Sequence, residues 1–302
     1  MLSRLAEAFF WIGRYVERAE ATTRLLQEHH QLLVEDLTVS ESAGTAIVLE
    51  ALGFSHSEVT SRAQLVEALV GHEADQSTIV GSVFLARENA RSVREVLVGE
   101  VFESLNSTYL QLSRETVPHQ NPGAALHRML ERLLVVNGSF EWEMPRDEGY
   151  AFWTIGKALE RIDMTARLLN LHHEDLWFEA GPTTTLRAAA AITPFLRTGY
   201  ALVPDEVRSF LVLDPELPRS MLRSAATAES AVRSLERQGV SGSEELLREV
   251  GRMHSALEFT ERSAHRTEIN RLVTETQESA AKASNLAAEA FFRQTGTIVW
   301  SH

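Results

Sequence analysis

An all-α bundle built from two similar halves is the fold that this 302-residue sequence predicts, and three observations carry the prediction. Apolar residues recur at helical spacing almost throughout, strong helix formers dominate over β-branched alternation, and one long stretch occurs twice. The stretch is Phe9 to His30, FFWIGRYVERAEATTRLLQEHH, which returns at Phe152 to His173 as FWTIGKALERIDMTARLLNLHH. At a constant offset of 143 residues, 11 of the 22 positions are identical, where average residue usage would give roughly one or two. The chain therefore reads as an internal duplication, with halves at 1–145 and 146–302 that together form one compact domain.

The first helix is expected from Ser3 to Leu37, with Thr38 to Gly44 as its exit. At 3.6 residues per turn, Phe9, Ile12, Val16, Ala19, Thr23 and Leu26 share an apolar side, while Gly13, Glu17, Glu20 and Arg24 share another. A solvated face has no need of Gly13 beside Glu17 twice, the second time as Gly156 and Glu160. Glycine within a helix costs about 1 kcal/mol against alanine, so a close backbone approach is the expected cause, with the charged stripe partly buried against a neighbouring helix.

Short helices follow at Thr45 to Leu52 and at Ser61 to Val70, the second capped by Ser61. A turn over Gly71 to Asp75 leads into a long helix pair through Asn106 and Arg114. PHQNPG at 118–123 is a break, Leu126 to Val136 reads as helix, and Asn137 to Asp147 as a loop. The second copy of the long helix begins near Gly149 and ends before Gly181-Pro182. Thr183 to Leu196 reads as one alanine-rich helix, and Pro204 opens another through Leu211. Pro215 and Pro218 mark a turn before a helix from Arg219 to Gln238. Gly239 to Ser243 is a loop, Ser243-Glu244-Glu245 is a helix start, and His254 to Phe292 reads as one long or broken helix.

With 44% apolar and 24% charged residues, the composition is globular. A formal charge of −13 and a pI near 5.4 place nucleic-acid binding well behind, since such proteins carry a basic stripe. Cysteine is absent, which excludes disulfides, thiolate zinc sites and a Cys nucleophile. There is no basic leader with an apolar core and no run near 18 uninterrupted apolar residues, so a cytoplasmic protein without a membrane partner is expected. No phosphate-cradling glycine loop, GK[ST] or serine nucleophile elbow is found, so an independent ATPase or hydrolase is not indicated.

Charged residues that could carry function fall into two groups. Arg87, Arg91 and Arg94 share one helical face beside Glu88 and Asn89. Aligning Glu88 with Glu229 gives the second half Ala228, Ser230, Val232 and Leu235 where the first has Arg87, Asn89, Arg91 and Arg94, so the arginine face belongs to the first half. Three guanidiniums on one face call for carboxylates or an anionic ligand: they pair internally with Glu17, Glu20 and neighbouring acids, bind phosphate or carboxylate, or form a contact surface for a partner. Arg14, Glu17, Arg18 and Arg24 complete the candidate anion-binding or partner-facing set, and Glu17 and Glu88 are the carboxylates that could do acid/base work.

His29-His30 and His172-His173 are neighbours about 100° apart on a helix, poorly placed to share an ion. His127 with Glu131 and Glu261 with His265 are isolated pairs, so no metal site is expected. The tryptophans, Trp11, Trp142, Trp153, Trp177 and Trp300, are too scattered for a base-stacking platform and suit core or interface anchors. Trp11 lies off its helix's apolar stripe, facing either a second packing neighbour or a partner.

Three segments together resemble the bacterial alpha-E family: MLSRLAEAFFWIGRYVERAEATTR at Met1 to Arg24, ARENARSVRE at Ala86 to Glu95 followed by Glu100 and Asn106, and LVLDPELPRS at Leu211 to Ser220. That resemblance implies an all-helical protein typically encoded beside, or fused to, a circularly permuted ATP-grasp protein, often near transglutaminase-like and proteasome-related peptidases. It implies an accessory subunit of an amide- or peptide-ligase system that binds the ligase and positions an anionic substrate, with ATP and Mg belonging to the partner. A homo-oligomer remains open. The alternative is a transferase or ligase module that is itself catalytic through a Glu/Arg site, which would need a raised carboxylate pKa while neighbouring arginines push it down.

Overall fold

Two long helices cross at the centre of the molecule, and the rest of the chain is arranged around them. The computed structural model describes residues 3–35, 40–54, 59–71, 75–118, 121–171 and 181–292, and among these there are thirteen helices and no strand. The first half contains α1 (Ser3–Glu35), α2 (Glu41–Leu52), α3 (Arg62–Val70), α4 (Ile79–Ser92), α5 (Gly99–Leu112) and α6 (Gly123–Glu143). The second contains α7 (Glu148–Leu171), α8 (Gly181–Ala188), α9 (Ile192–Thr198), α10 (Pro204–Leu213), α11 (Met221–Arg237), α12 (Glu244–Glu258) and α13 (Arg266–Phe291).

α1 packs on α4, α6 and α7, and α7 packs on α11, α13 and α1. α5 bridges α4 and α6, as α12 bridges α11 and α13. The apolar side expected for α1 is buried: Phe9, Ile12, Val16, Ala19 and Leu26 are at most 1% exposed. Ser61 caps α3 through a reciprocal box with Gln64, as its position in the sequence suggests.

The expected elements differ from the observed ones in three places. Asn137 to Glu143 is not a loop, because α6 runs through it and Asn137 spends its side chain on a buried carboxylate rather than on a turn. The alanine-rich stretch is not one helix. Ala190 takes φ +53°, its N–H bonds to the Arg187 carbonyl and that of Ala191 reaches back to Leu186, a Schellman end that closes α8 before α9 begins. The last helical segment begins earlier than His254, with α12 continuous from Glu244, and a break at 259–265 separates it from α13.

Trp153 is buried and stacks on Phe140 with ring centroids 4.9 Å apart, and half-buried Trp11 stacks on Tyr15 and meets Phe10 edge-on. Trp142 is 87% exposed. His172, His173, Trp177 and Trp300 lie outside the described residues. None of the described helices is long and apolar enough to cross a membrane.

Candidate functional site

The crossing of α1 and α7 is held at contact distance by two glycines. A Cβ on Gly13 would sit 2.2 Å from the Trp153 carbonyl oxygen, and one on Gly156 would sit 2.0 Å from that of Phe10. Both contacts are the same contact read at the 143-residue offset, since Gly156 matches Gly13 and Trp153 matches Phe10. Any side chain there would push the backbones apart.

One turn further on, the acids and bases of the two helices pair crosswise. Arg18 grips Glu160 with both faces of its fork, Nε to Oε1 at 2.6 Å and Nη2 to Oε2 at 3.1 Å. Arg161 grips Glu17 in the same way, at 2.9 and 2.7 Å. Each of these arginines also donates to a carbonyl just ahead of the next matched helix, Arg18 to Gln76 and Arg161 to Pro218. Glu17 and Glu160 are fully buried. Bidentate pairing of this kind supplies both the energy and the geometry that a buried charge requires.

The two ends of the cross are completed differently. Glu160 receives a second guanidinium from Arg14, Nε to Oε2 at 2.6 Å, and Arg14 also donates to Ser284 of α13. Lys157, which matches Arg14, turns instead to Glu141 at 3.2 Å. Glu17 takes its second guanidinium from Arg219, immediately ahead of α11, at 2.8 Å. Arg219 also reaches Glu20, which accepts from Arg24 at 2.9 Å and from Asn137 at 2.8 Å. At the position matching Glu20, Asp163 accepts from Arg167 and from Gln277 of α13.

Burial alone would raise the Glu17 pKa, but Arg161 and Arg219 outweigh it and hold the carboxyl well below the usual carboxylate range. Burial, then the nearby Arg161, lowers the Lys157 ammonium. The resulting unit is a buried ion network in which both oxygens of Glu17 and of Glu160 are engaged by guanidinium hydrogens.

Arg14, Glu17, Arg18 and Arg24 are thus brought together, joined by Glu160, Arg161, Arg219 and Asn137. The repeat offset pointed to Glu160-Arg161, and Arg219 lay in LVLDPELPRS, but nothing local ties Arg219 to Glu17. The second group stands elsewhere. Arg87 donates to Asn106 at 2.8 Å and to Glu88 at 2.6 Å and lies over the Tyr109 ring. Arg91 approaches Glu88 at 3.8 Å, Arg94 approaches Glu103 at 3.9 Å and covers Phe102, and Asn89 bonds back to the Leu85 carbonyl. The expected pairing of these arginines with Glu17 and Glu20 is therefore not made, because their partners come from α4 and α5.

Caps and burial also correct the alignment of α4 with α11. Thr78 and Ser220 cap the two helices, and Ser82, Val83 and Ala86 are buried like Ser224, Ala225 and Ala228, so the offset is 142 and not the 141 that sets Glu88 on Glu229. At that register Arg87 matches Glu229, Arg91 matches Arg233, and Arg219 matches Ser77.

His29 and His30 are buried in α1, and burial lowers the pKa of both, that of His29 to about 4, with His30 and Arg62 adding to the effect. Among the described residues no three His, Asp or Glu side chains converge as a metal's ligands would.

A family model described as "a predicted alpha-helical domain with a conserved ER motif" matches residues 1–292. The chain belongs to the Alpha-E family. Two of its Glu-Arg dipeptides, Glu17-Arg18 and Glu160-Arg161, form the crossed pair at the α1–α7 contact. The chain is similar to uncharacterized protein Mb2597 of Mycobacterium bovis and uncharacterized protein MT2643 of Mycobacterium tuberculosis, each 23% identical over 284 residues. Those matches cover 84% of this chain and 32% of each relative, so the Alpha-E chain spans about a third of their length. No solved structure matches it.

Proposed function

We propose that this Alpha-E protein is a non-catalytic helical subunit of an ATP-grasp-type amide or peptide ligase system, which binds the ligase and presents an anionic substrate to it. The observation that carries the non-catalytic part is the capture of both oxygens of Glu17 and of Glu160 by guanidinium hydrogens. A general acid or base needs a pKa near the working pH, and Arg161 and Arg219 hold the Glu17 carboxyl well below it. The relatives' length supports the association, because their matching region is a minority of a much longer chain and so acts alongside further protein. The crossed contacts at one offset support descent of the two halves from a duplication, with the Glu-Arg cross as the joint that survived it.

ATP and Mg belong to the ligase in this reading. Reconstitution tests it: ATP consumption and amide product are measured for the ATP-grasp protein with and without this chain, after checking that the two co-purify. Association with chain-dependent product formation is expected. A ligase that works equally well alone and does not associate would overturn the reading.

A further inference from the structure

The two halves differ most in the groove that runs beside each long helix. In the second half, α7 and α11 enclose a cavity of about 360 Å³, within the range of small-molecule sites. Its walls carry Thr154, Ala226 and Ser230, at the positions where the first half has Trp11, Phe84 and Glu88. In the first half those side chains are spent on packing and pairing: Trp11 on Tyr15, Phe84 on Tyr109, and Glu88 on Arg87. The exchange replaces an indole, a phenyl ring and a carboxylate by a methyl group and two hydroxyls, which opens space and leaves hydrogen-bonding groups facing it.

Charge is rearranged as well. Arg223 stands where the first half has Gly81, and Arg237 where it has Glu95. Glu95 is bound by Arg4 at 2.8 Å; the matching residues, Arg237 and Asp147, both line the cavity without forming that pair. Asp147 accepts the Tyr150 backbone N–H at 3.1 Å as a cap of α7. Among the described residues, no carboxylate pairs with Arg223 or Arg237. Arg146 adds a third guanidinium, held over the Tyr150 ring at 3.9 Å, donating to the Glu141 carbonyl at 2.6 Å and lying 3.9 Å from the Glu141 carboxylate. In a chain of formal charge −13, three arginines against the one acid of the lining, Asp147, leave the cavity wall locally positive.

We infer that the α7–α11 groove is a binding site for a small, elongated anion bearing an acidic group at each end. Arg223 and Arg237 are two ends of one helical stripe, about 21 Å apart at the backbone by the rise per residue, and both line the groove. Hydroxyls of Ser230 and Ser234 lie between them on the same stripe and suit the uncharged middle of such a ligand. Carboxylate and phosphate are the acidic groups that guanidinium forks bind. The groove lies apart from the Glu-Arg cross, so the site stands whether or not the ligase reading holds.

Calorimetric titration of the full chain with α,ω-dicarboxylates from glutarate to sebacate, with α,ω-bisphosphonates of matching length and with octanoate tests the inference. Saturable binding of a dicarboxylate or of a bisphosphonate, about tenfold or more tighter than octanoate, is expected, and which of the two wins separates carboxylate from phosphate ligands. Ser230→Glu, at an exposed position, restores the acid of the first half and should weaken binding about tenfold or more with an unchanged circular dichroism spectrum. Arg237→Ala should do the same without adding bulk. Dianions that bind no better than octanoate, or binding that both variants leave untouched, would overturn it.

Discussion

Gly13, Glu17 and Arg18 of α1 meet Gly156, Glu160 and Arg161 of α7 through matched contacts, whereas Thr154, Ala226 and Ser230 stand at positions where the first half has Trp11, Phe84 and Glu88. The halves are alike where they touch each other and unlike where each turns outward. Residues at the crossing are tied by two constraints at once, since each glycine must admit the other helix's backbone and each carboxylate must satisfy the other helix's guanidinium. Groove residues answer only to their own half, and so they can fill a cavity in one and open it in the other. The difference locates the architecture at the cross and the chemistry open to a ligand in the second half.

The largest expected effect tests the equivalence of the two ends of the cross. Glu17→Ala leaves Arg161 buried without a carboxylate and Arg219 with Glu20 alone, and urea unfolding should show a loss of about 3–5 kcal/mol. Glu160→Ala should cost a similar amount, because Arg14 and Arg18 are 15% and 20% exposed along their side chains, close to the 16% and 14% of Arg161 and Arg219. Clearly unequal losses would break the comparison.

Acid should act on the first half in two stages. His29 has a folded pKa of about 4 against an ordinary 6.5, so the unfolded chain takes up its proton first. Its contribution, about 3 kcal/mol at most, is complete above pH 6.5 and is lost as pH falls towards 4. Glu17, held low, contributes fully above the usual carboxylate range and loses its share as pH falls below about 4.5. Thermal melts from pH 8 to 3 should therefore decline in both windows, and Glu17→Gln should flatten the lower one only.

Smaller still, Gly13→Ala and Gly156→Ala should each cost about 1–3 kcal/mol and by similar amounts, since each added methyl group meets a main-chain carbonyl across the same contact. Unequal losses would mean that the crossing is tighter at one end. Least of all, Ala190→Gly should stabilise by about 1 kcal/mol, for it relieves a left-handed alanine at the end of α8.

Much of the cross was legible because a repeat exposes what both copies keep. Gly13 and Glu17 pointed to a close helix contact before any partner was known, and Ser61 marked its helix start by cap chemistry alone. Asn137 was misread because local preference places asparagine in turns, while here the buried Glu20 carboxylate holds it within α6. The four alanines at 188–191 carry no stop signal, and the helix ends there through a backbone conformation that alanine ordinarily avoids. Arg219 could not be paired with Glu17 from sequence, since 202 residues separate them and only the docking of α11 on α7 brings them together. Arg87 and Arg91 pair with the neighbouring acid Glu88 and not with Glu17 or Glu20, while Asn106 and Glu103 reach Arg87 and Arg94 only through the packing of α5 on α4.

The most direct test of the central claim is product formation by the ligase complex carrying Glu17→Gln, measured per mole of intact complex. A structural cross predicts a lower melting temperature with unchanged turnover. A variant that folds and associates normally yet forms no product would contradict it and make Glu17 a catalytic residue.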